Sequence, residues 1–162
     1  MRCLIIGCGC RGRLLAGELR DRGHTVRGTT RDPARLADIE GVGAEAELAD
    51  PDRVMTLMPA LDHVSVALIL LGSASGSPDE IRALHGTRLE MLLTKLVDTT
   101  VRGVVYEARG RVQDEVLSGG VDRVRRFAER SLARVAMLTA DPALPQQWVS
   151  AALATVDAVV GG

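Results

Sequence analysis

The sequence predicts a doubly wound α/β architecture: a parallel six-stranded sheet in the order 3-2-1-4-5-6, with helices on both faces. Three observations predict it. Short apolar runs alternate with amphipathic helical segments along the whole chain. A glycine-rich turn, Gly7-Cys8-Gly9-Cys10-Arg11-Gly12, stands between the first apolar run and the first helical segment. Two Asp-Pro pairs, Asp32-Pro33 and Asp50-Pro51, open further helical segments with a capping side chain and a residue whose φ is already helical.

Cys3-Leu4-Ile5-Ile6 is apolar without alternation, the pattern of a strand buried on both faces. After the Gly7–Gly12 turn, Arg13 to Arg22 reads as a helix with Leu14, Leu15 and Leu19 toward the core, ended by Gly23. Thr25 to Thr29 is the second strand. The Asp32-Pro33 helix carries Leu36 and Ile39 and closes at Gly41 and Gly43. A weak strand lies near Ala44 to Leu48, and Asp50-Pro51 predicts a helix through about Met58. Val64 to Leu71 is the clearest strand, and the small residues of Gly72 to Pro78 follow it as a flexible connection. A long helix is expected from Pro78 to Leu96, then a fifth strand over Gly103 to Tyr106. Val112 to Leu132 reads as helical, with a break expected at Gly119-Gly120. Arg134 to Leu138 is the sixth strand. Trp148 to Val160 is the last helix, with Val149, Leu153, Val156 and Val160 on one face.

Of the 162 residues, 46% are hydrophobic and 25% charged, with a net charge of −1. That is a folded globular composition with no basic excess for nucleic acid or an anionic membrane surface. Aromatic residues are only 2% (Tyr106, Phe127 and Trp148), which argues against base-stacking platforms. The sheet takes up the whole chain, so a single domain over 1–162 is expected, without a separate substrate domain. The start of the chain has no secretory pattern, and no apolar run nears the ~20 residues that span a bilayer. A cytoplasmic location is expected. The cysteines, Cys3, Cys8 and Cys10, form neither a disulfide framework nor a four-ligand metal site. They read as small apolar residues of a tight strand and loop, and no metal is expected.

The glycine turn carries the functional expectation. Gly7 permits a tight turn, Gly9 lets the backbone approach a pyrophosphate, and Gly12 lets helix pack closely on strand. The helix start, with Cys10 and Arg11, presents free N–H groups to phosphates. Without a ligand the same residues would be only a tight connection. In this context they point to a Rossmann-type dinucleotide site. The choice of dinucleotide is read at the end of the second strand, where an acid would bind the ribose 2′-hydroxyl of NAD. Gly28-Thr29-Thr30-Arg31 has no acid, and Asp32 is used as a helix cap. Arg31 can pair with a 2′-phosphate, Thr29 or Thr30 can donate to it, and Arg11 can reach it from the loop. NADP(H) is therefore expected ahead of NAD(H). Leu71 and Gly72, at the end of the fourth strand, complete the expected cofactor set.

The stretch Gly7 to Arg31, with Gly23-His24-x-Val26 before Gly28, resembles the start of short-chain dehydrogenase/reductase superfamily domains. The likeness is to the extended and atypical branches, the epimerase/dehydratase-like NAD(P)H-binding proteins. Ala49-Asp50 is similar to the family's acidic position after the third strand, which implies that Asp50 approaches the adenine amino group. Leu84-His85-Gly86-Thr87 resembles the start of the family's long helix, and Val104-Val105-Tyr106 its fifth strand. The resemblance covers about 1–112 closely and the rest loosely. The G-x-G-x-x-G spacing, in place of G-x-x-G-x-x-G, points to the atypical branch. The related extended enzymes pair through such helices, so the resemblance implies a homodimer through the Pro78 to Leu96 and C-terminal helices.

The family's catalytic pattern does not carry over. Its asparagine position falls on Ala83 and its serine position on Ala108. Its Tyr-x-x-x-Lys pair cannot form, because the sole tyrosine is Tyr106 and the sole lysine, Lys95, precedes it. In that pattern the tyrosine transfers the proton and the lysine lowers its pKa. Two functions stay open. One is a non-catalytic NADP(H) binder, a sensor or a subunit supplying this domain to a partner. The other is an NAD(P)H-dependent oxidoreductase with a non-standard acid–base pair, for which His85 and Glu107, beside Arg109, are the candidates at the strand ends. Such residues are more commonly exposed polar groups. Ile5-Ile6-Gly7-Cys8-Gly9 also resembles the start of an S-adenosylmethionine-dependent methyltransferase, but that family has acids where Ile5 and Thr30 stand. Trp148 reads as a core or interface anchor, His24 and His63 as surface residues, and Arg123, Arg125, Arg126 and Arg130 as a solvated helix face.

Overall fold

The computed structural model describes residues 1–161. Gly162, the last residue of the expected domain, lies outside them. Six parallel strands form one sheet in the order β3-β2-β1-β4-β5-β6. They are β1 Arg2–Ile6, β2 Thr25–Thr30, β3 Glu45–Leu48, β4 Val66–Ile69, β5 Gly103–Glu107 and β6 Arg134–Leu138. The order reverses between β1 and β4, which pair from Cys3 opposite Val66 to Ile6 opposite Ile69. This is the expected architecture. The helices are α1 Cys10–Asp21, α2 Leu36–Gly41, α3 Pro78–Ala83, α4 Leu89–Leu96, α5 Asp114–Arg130 and α6 Pro145–Val160.

Successive strand residues point to opposite faces, so the core has two halves. Cys3, Ile5, Leu68 and Val105 pack against Leu15, Leu19, Ile39 and Trp148 of α1, α2 and α6. Leu4, Ile6, Ile69, Val104 and Tyr106 pack on the other face against Leu89, Leu93, Val124 and Phe127 of α4 and α5. Each such buried side chain contributes about 1.5–3 kcal/mol relative to exposure. The apolar faces of α4 and α6 are taken up by this chain's own core, leaving Met91, Val97 and Val160 exposed. Among the described residues no helix is long and apolar enough to cross a membrane.

Several elements depart from the sequence expectation. Helix α1 begins at Cys10, so Gly12 lies in its first turn and the connection from β1 is shorter than Gly7–Gly12. Asp32 behaves as expected, accepting from the Ala34 N–H at 3.0 Å ahead of a short 3-10 turn and α2. Asp50-Pro51 opens no α-helix. The Asp50 carboxylate accepts from Asp52 N–H at 2.9 Å, and the Thr56 hydroxyl bonds the backbone of Asp50 and Arg53. These local bonds compete with helix formation, and two 3-10 turns, Val54–Leu57 and Pro59–Leu61, take the helix's place. The Pro78 to Leu96 segment is interrupted between α3 and α4 by a wide turn, Leu84–Arg88, with Gly86 at φ −110°, ψ −106°. That turn directs His85 into the core. The break expected at Gly119-Gly120 is absent, and α5 runs through it. Gly120 is required by packing, because a Cβ there would overlap the Tyr106 hydroxyl.

Candidate functional site

A crevice of about 560 Å³ lies at the carboxyl ends of β1 and β4, where the strand order reverses. Diverging connections leave room there in any open α/β sheet. Gly7 has φ +84°, and a Cβ on it would meet the Leu70 carbonyl oxygen at 2.7 Å. Glycine alone fits both constraints. A Cβ on Gly9 would meet nothing within 4 Å, so that side of the loop is open to a ligand's close approach. A Cβ on Gly12 would stand 3.4 Å from Gly7 O and Ile5 Cγ2, the close helix-on-strand contact. Thr29 ties the loop to β2: its hydroxyl accepts from Gly7 N–H at 3.3 Å and its carbonyl from Cys8 N–H at 2.9 Å. Gly9 is the N-cap of α1 and no side chain caps it. The first N–H groups of the helix thus point at the crevice without an intrahelical partner.

Gly7, Gly9, Cys10, Arg11, Gly12, Thr29, Thr30, Arg31, Asp50 and Leu71 all line this crevice. Gly72 is buried behind it, its N–H donating to Glu107 Oε1 at 2.7 Å. The two threonines are already engaged. Thr29 serves Gly7, and the Thr30 hydroxyl accepts from Asp32 N–H at 3.1 Å. Arg31 is exposed and reaches the Ser75 carbonyl at 3.4 Å, spanning the crevice mouth from the end of β2 to the segment after β4. Sequence reasoning missed Arg35, Arg111 and Trp148 as lining residues. Arg35 was legible in principle, because it stands in the first turn after the Asp32 cap, beside the strand ends. Arg111 was not, since it arrives by a fold-back in which Val112 N–H donates to Gly72 O at 3.0 Å.

Tyr106 and Glu107 are consecutive on β5 and face opposite sides of the sheet. On one side, Tyr106 Oη is 2.6 Å from His85 Nδ1, and His85 Nε2 is 2.9 Å from the Leu71 carbonyl. A carbonyl only accepts, so Nε2 carries the proton and Nδ1 accepts from the tyrosine hydroxyl. Burial lowers the His85 pKa, in keeping with that neutral tautomer, and raises that of Tyr106. On the other side, Glu107 accepts from Gly72 N–H at 2.7 Å and from the Trp148 indole N–H at 2.9 Å. Burial raises the Glu107 pKa, opposed by those two hydrogen bonds and by the Arg11 charge. The Arg11 guanidinium lies 5.7 Å from the centre of the Trp148 ring, a cation–π distance.

The Leu71 carbonyl and the Gly72 N–H belong to one peptide group. That peptide, immediately after β4, is held by His85 at its oxygen and by Glu107 at its nitrogen. The candidate acid–base pair of His85 and Glu107 is therefore not assembled. The two side chains lie on opposite faces and bond opposite ends of one peptide. Nor are they exposed polar groups, being 2% and 1% accessible. Tyr106 is fully buried, and Lys95 is exposed on α4. Trp148 is a core residue. His24 is half-buried, and His63 is exposed with φ 57°. Cys3 and Cys8 are buried, with thiol pKa values pushed up to about 11 by burial. Cys8 Sγ fills the space beside Gly28, while Cys10 is exposed at the start of α1. Arg125, Arg126 and Arg130 are exposed on α5, the expected solvated face, and Arg123 and Arg126 reach Glu90 from it.

No protein-family model and no curated protein matches the sequence. Solved structures match the fold. A short-chain dehydrogenase/reductase superfamily protein from Agrobacterium tumefaciens, with bound NAD, aligns at TM-score 0.69 and 20% identity, over 85% of this chain and 48% of that one. UDP-glucose 4-epimerase from Thermotoga maritima, with UDP-glucose, aligns at TM-score 0.71 and 12% identity, over 85% and 54%. UDP-glucuronic acid 4-epimerase from Bacillus cereus, with UDP-4-deoxy-4-fluoro-glucuronic acid and NAD, aligns at TM-score 0.65 and 13% identity, over 85% and 55%. The chain spans about half the length of these structures. Strand order and glycine-floored crevice together define a protein of the Rossmann-fold class. Within that class its topology is the one found in short-chain dehydrogenase/reductase and epimerase structures.

Proposed function

We propose that this chain is an NADP(H)-binding Rossmann protein, one dinucleotide domain over 1–162, acting as a cofactor sensor or as a subunit that supplies the domain to a partner. The observation that carries the reading is the open glycine floor at the switch point, flanked at the end of β2 by Arg31 and Arg35 and by no free acid. The pyrophosphate lies over Gly9 and the N–H groups of Cys10, Arg11 and Gly12 at the start of α1. Asp50 serves the adenine end and Leu71 the nicotinamide end. Arg31 meets the 2′-phosphate, with Arg35, ion-paired to Asp38 at 3.4 Å, behind it. The Thr29 and Thr30 hydroxyls hold the loop and the turn, so recognition falls to the guanidinium groups. Asp32, the nearest acid, caps the following turn and does not serve a 2′-hydroxyl.

A bound nicotinamide supplies hydride chemistry by itself. What this chain withholds is a proton donor: Tyr106 is buried against His85, and His85 and Glu107 are bonded into the fold. That supports the sensor or subunit reading over a conventional reductase.

Calorimetric titration with NADPH, NADP, NADH and S-adenosylmethionine tests the reading. NADPH should bind at least tenfold tighter than NADH. Arg31→Ala should weaken NADPH by about 10- to 100-fold, the size of one charge-assisted contact, and leave NADH nearly unchanged. Binding of no nucleotide sinks the proposal, and binding of S-adenosylmethionine alone transfers the site to methyl-transfer chemistry. Turnover of bound NADPH with a carbonyl substrate would make the chain an oxidoreductase instead of a sensor.

A further inference from the structure

We propose that a second cavity, next to the dinucleotide crevice, binds a small aliphatic carboxylate, with Arg111 as its anion receptor. This cavity holds about 200 Å³ and lies between the start of α3 and the start of α5. It is open to solvent on one side, and its lining is mixed: apolar side chains of Pro78, Ile81, Val112 and Val116 stand beside exposed Arg82, Arg111 and Gln113, and no acid lines it. Two cations do, Arg82 and Arg111. Arg82 is committed to Asp79 on its own helix. Arg111 makes no ion pair among the described residues, although it stands on a fixed stem. Its N–H donates to Ser73 Oγ at 3.2 Å, and Val112 N–H donates to Gly72 O at 3.0 Å. Gln113 also lines the cavity, and its side chain does not cap α5, so the amide is available to a ligand.

An unpaired guanidinium on a rigid stem, an available amide and a short open cleft with an apolar side suit a compact molecule with an anionic head and an apolar body. The planar fork of arginine favours a carboxylate, which it meets with two parallel hydrogen bonds. The volume is below that of pockets for drug-sized ligands, which restricts the body to a few carbons. Asp114 and Glu115 lie in the first turn of α5 but do not line the cavity. Arg111 also borders the crevice, so a ligand held by it lies beside the nicotinamide end while leaving the glycine floor free.

The test is ligand-detected NMR with the full chain, alone and with NADPH, using 4-methylpentanoate, 4-methylpentan-1-ol and inorganic phosphate as probes. The acid should bind at least tenfold tighter than the alcohol and than phosphate, with or without NADPH. Arg111→Gln should erase the preference for the acid, and Val116→Phe, at a residue that does not border the crevice, should weaken acid and alcohol alike by filling the cavity while NADPH affinity stays unchanged. Equal binding of acid and alcohol, or no binding of either, overturns the proposal. So does phosphate binding as tightly as the acid, displacement of the acid by NADPH, or a Val116→Phe variant that loses NADPH as strongly as it loses the acid. Acid binding to a chain that ignores every nucleotide supports this cavity while refuting the dinucleotide reading, so the two fail separately.

Discussion

Gly120→Ala is expected to lower the melting temperature by about 4 °C or more, while Gly119→Ala leaves it unchanged or raises it. The two glycines are neighbours in the middle of α5. On propensity alone, either change should stabilise the helix by about 1 kcal/mol. Packing separates them. A Cβ on Gly119 meets only the end of the Arg123 side chain, at 3.1 Å, and that arm can move aside. A Cβ on Gly120 overlaps the Tyr106 hydroxyl and stands 2.5 Å from its Cζ. Tyr106 cannot retreat, because it is fully buried on a central strand and bonded to His85 at 2.6 Å. Overpacking costs about 1–3 kcal/mol, and an overlap with a side chain that cannot move lies at or above the top of that range, so after the helix gain of about 1 kcal/mol a net loss of about 2 kcal/mol or more is expected. Tyr106→Phe removes the overlapping atom, so the double variant should lose less than the sum of the single changes. Calorimetric melting of the four variants beside wild type decides it. Equal losses at Gly119 and Gly120, or strict additivity with Tyr106→Phe, would remove the contact as the cause.

That glycine pair also marks where the sequence stops being legible. Parallel strands covered on both faces are continuous apolar runs, and a loop needing φ +84° at Gly7 needs glycine, so sheet order and crevice floor show through locally. A glycine pair reads locally as a helix break, yet here one member is set by a tyrosine on another element. Asp32-Pro33 and Asp50-Pro51 are the same dipeptide. Both aspartates accept from the N–H two residues on, but only the first leads into an α-helix; at the second the Thr56 hydroxyl adds competing bonds to the backbone of Asp50 and Arg53. The His85 and Glu107 candidates fail for a similar reason. Spacing places both near strand ends, but the alternation of β5 sends Tyr106 toward His85 and Glu107 toward Trp148. The cation Arg111 reaches the crevice through a fold-back of the chain that no local pattern encodes.

Glu107 carries the second large effect. Its two oxygens accept from two buried donors, Gly72 N–H and the Trp148 indole. Glu107→Ala strands both donors, at about 1–3 kcal/mol each, so a loss of about 2–6 kcal/mol is expected. Glu107→Gln keeps one acceptor and sets an amide N–H against the other donor, for a loss near the lower end of that range. The two changes differ from wild type in a further way, because only Glu107 titrates. Burial raises its folded-state pKa above the ordinary value of 4.5. Folding therefore takes up a proton in the interval between the two values. The stabilisation from that proton is complete below about pH 4.5 and is lost as pH rises through the folded-state pKa. The stability gap between wild type and Glu107→Gln should accordingly narrow as pH climbs from 4.5, as measured by urea unfolding at a series of pH values. Trp148, the sole tryptophan, reports the same event, since its indole N–H bonds the titrating carboxyl. Its emission should shift across that interval in wild type and stay flat in the Gln variant. A constant stability gap with a flat wild-type emission would show that Glu107 keeps its proton state throughout. Arg11, over the same indole at 5.7 Å, links this core bond to the glycine loop, so NADPH binding should change Trp148 emission as well.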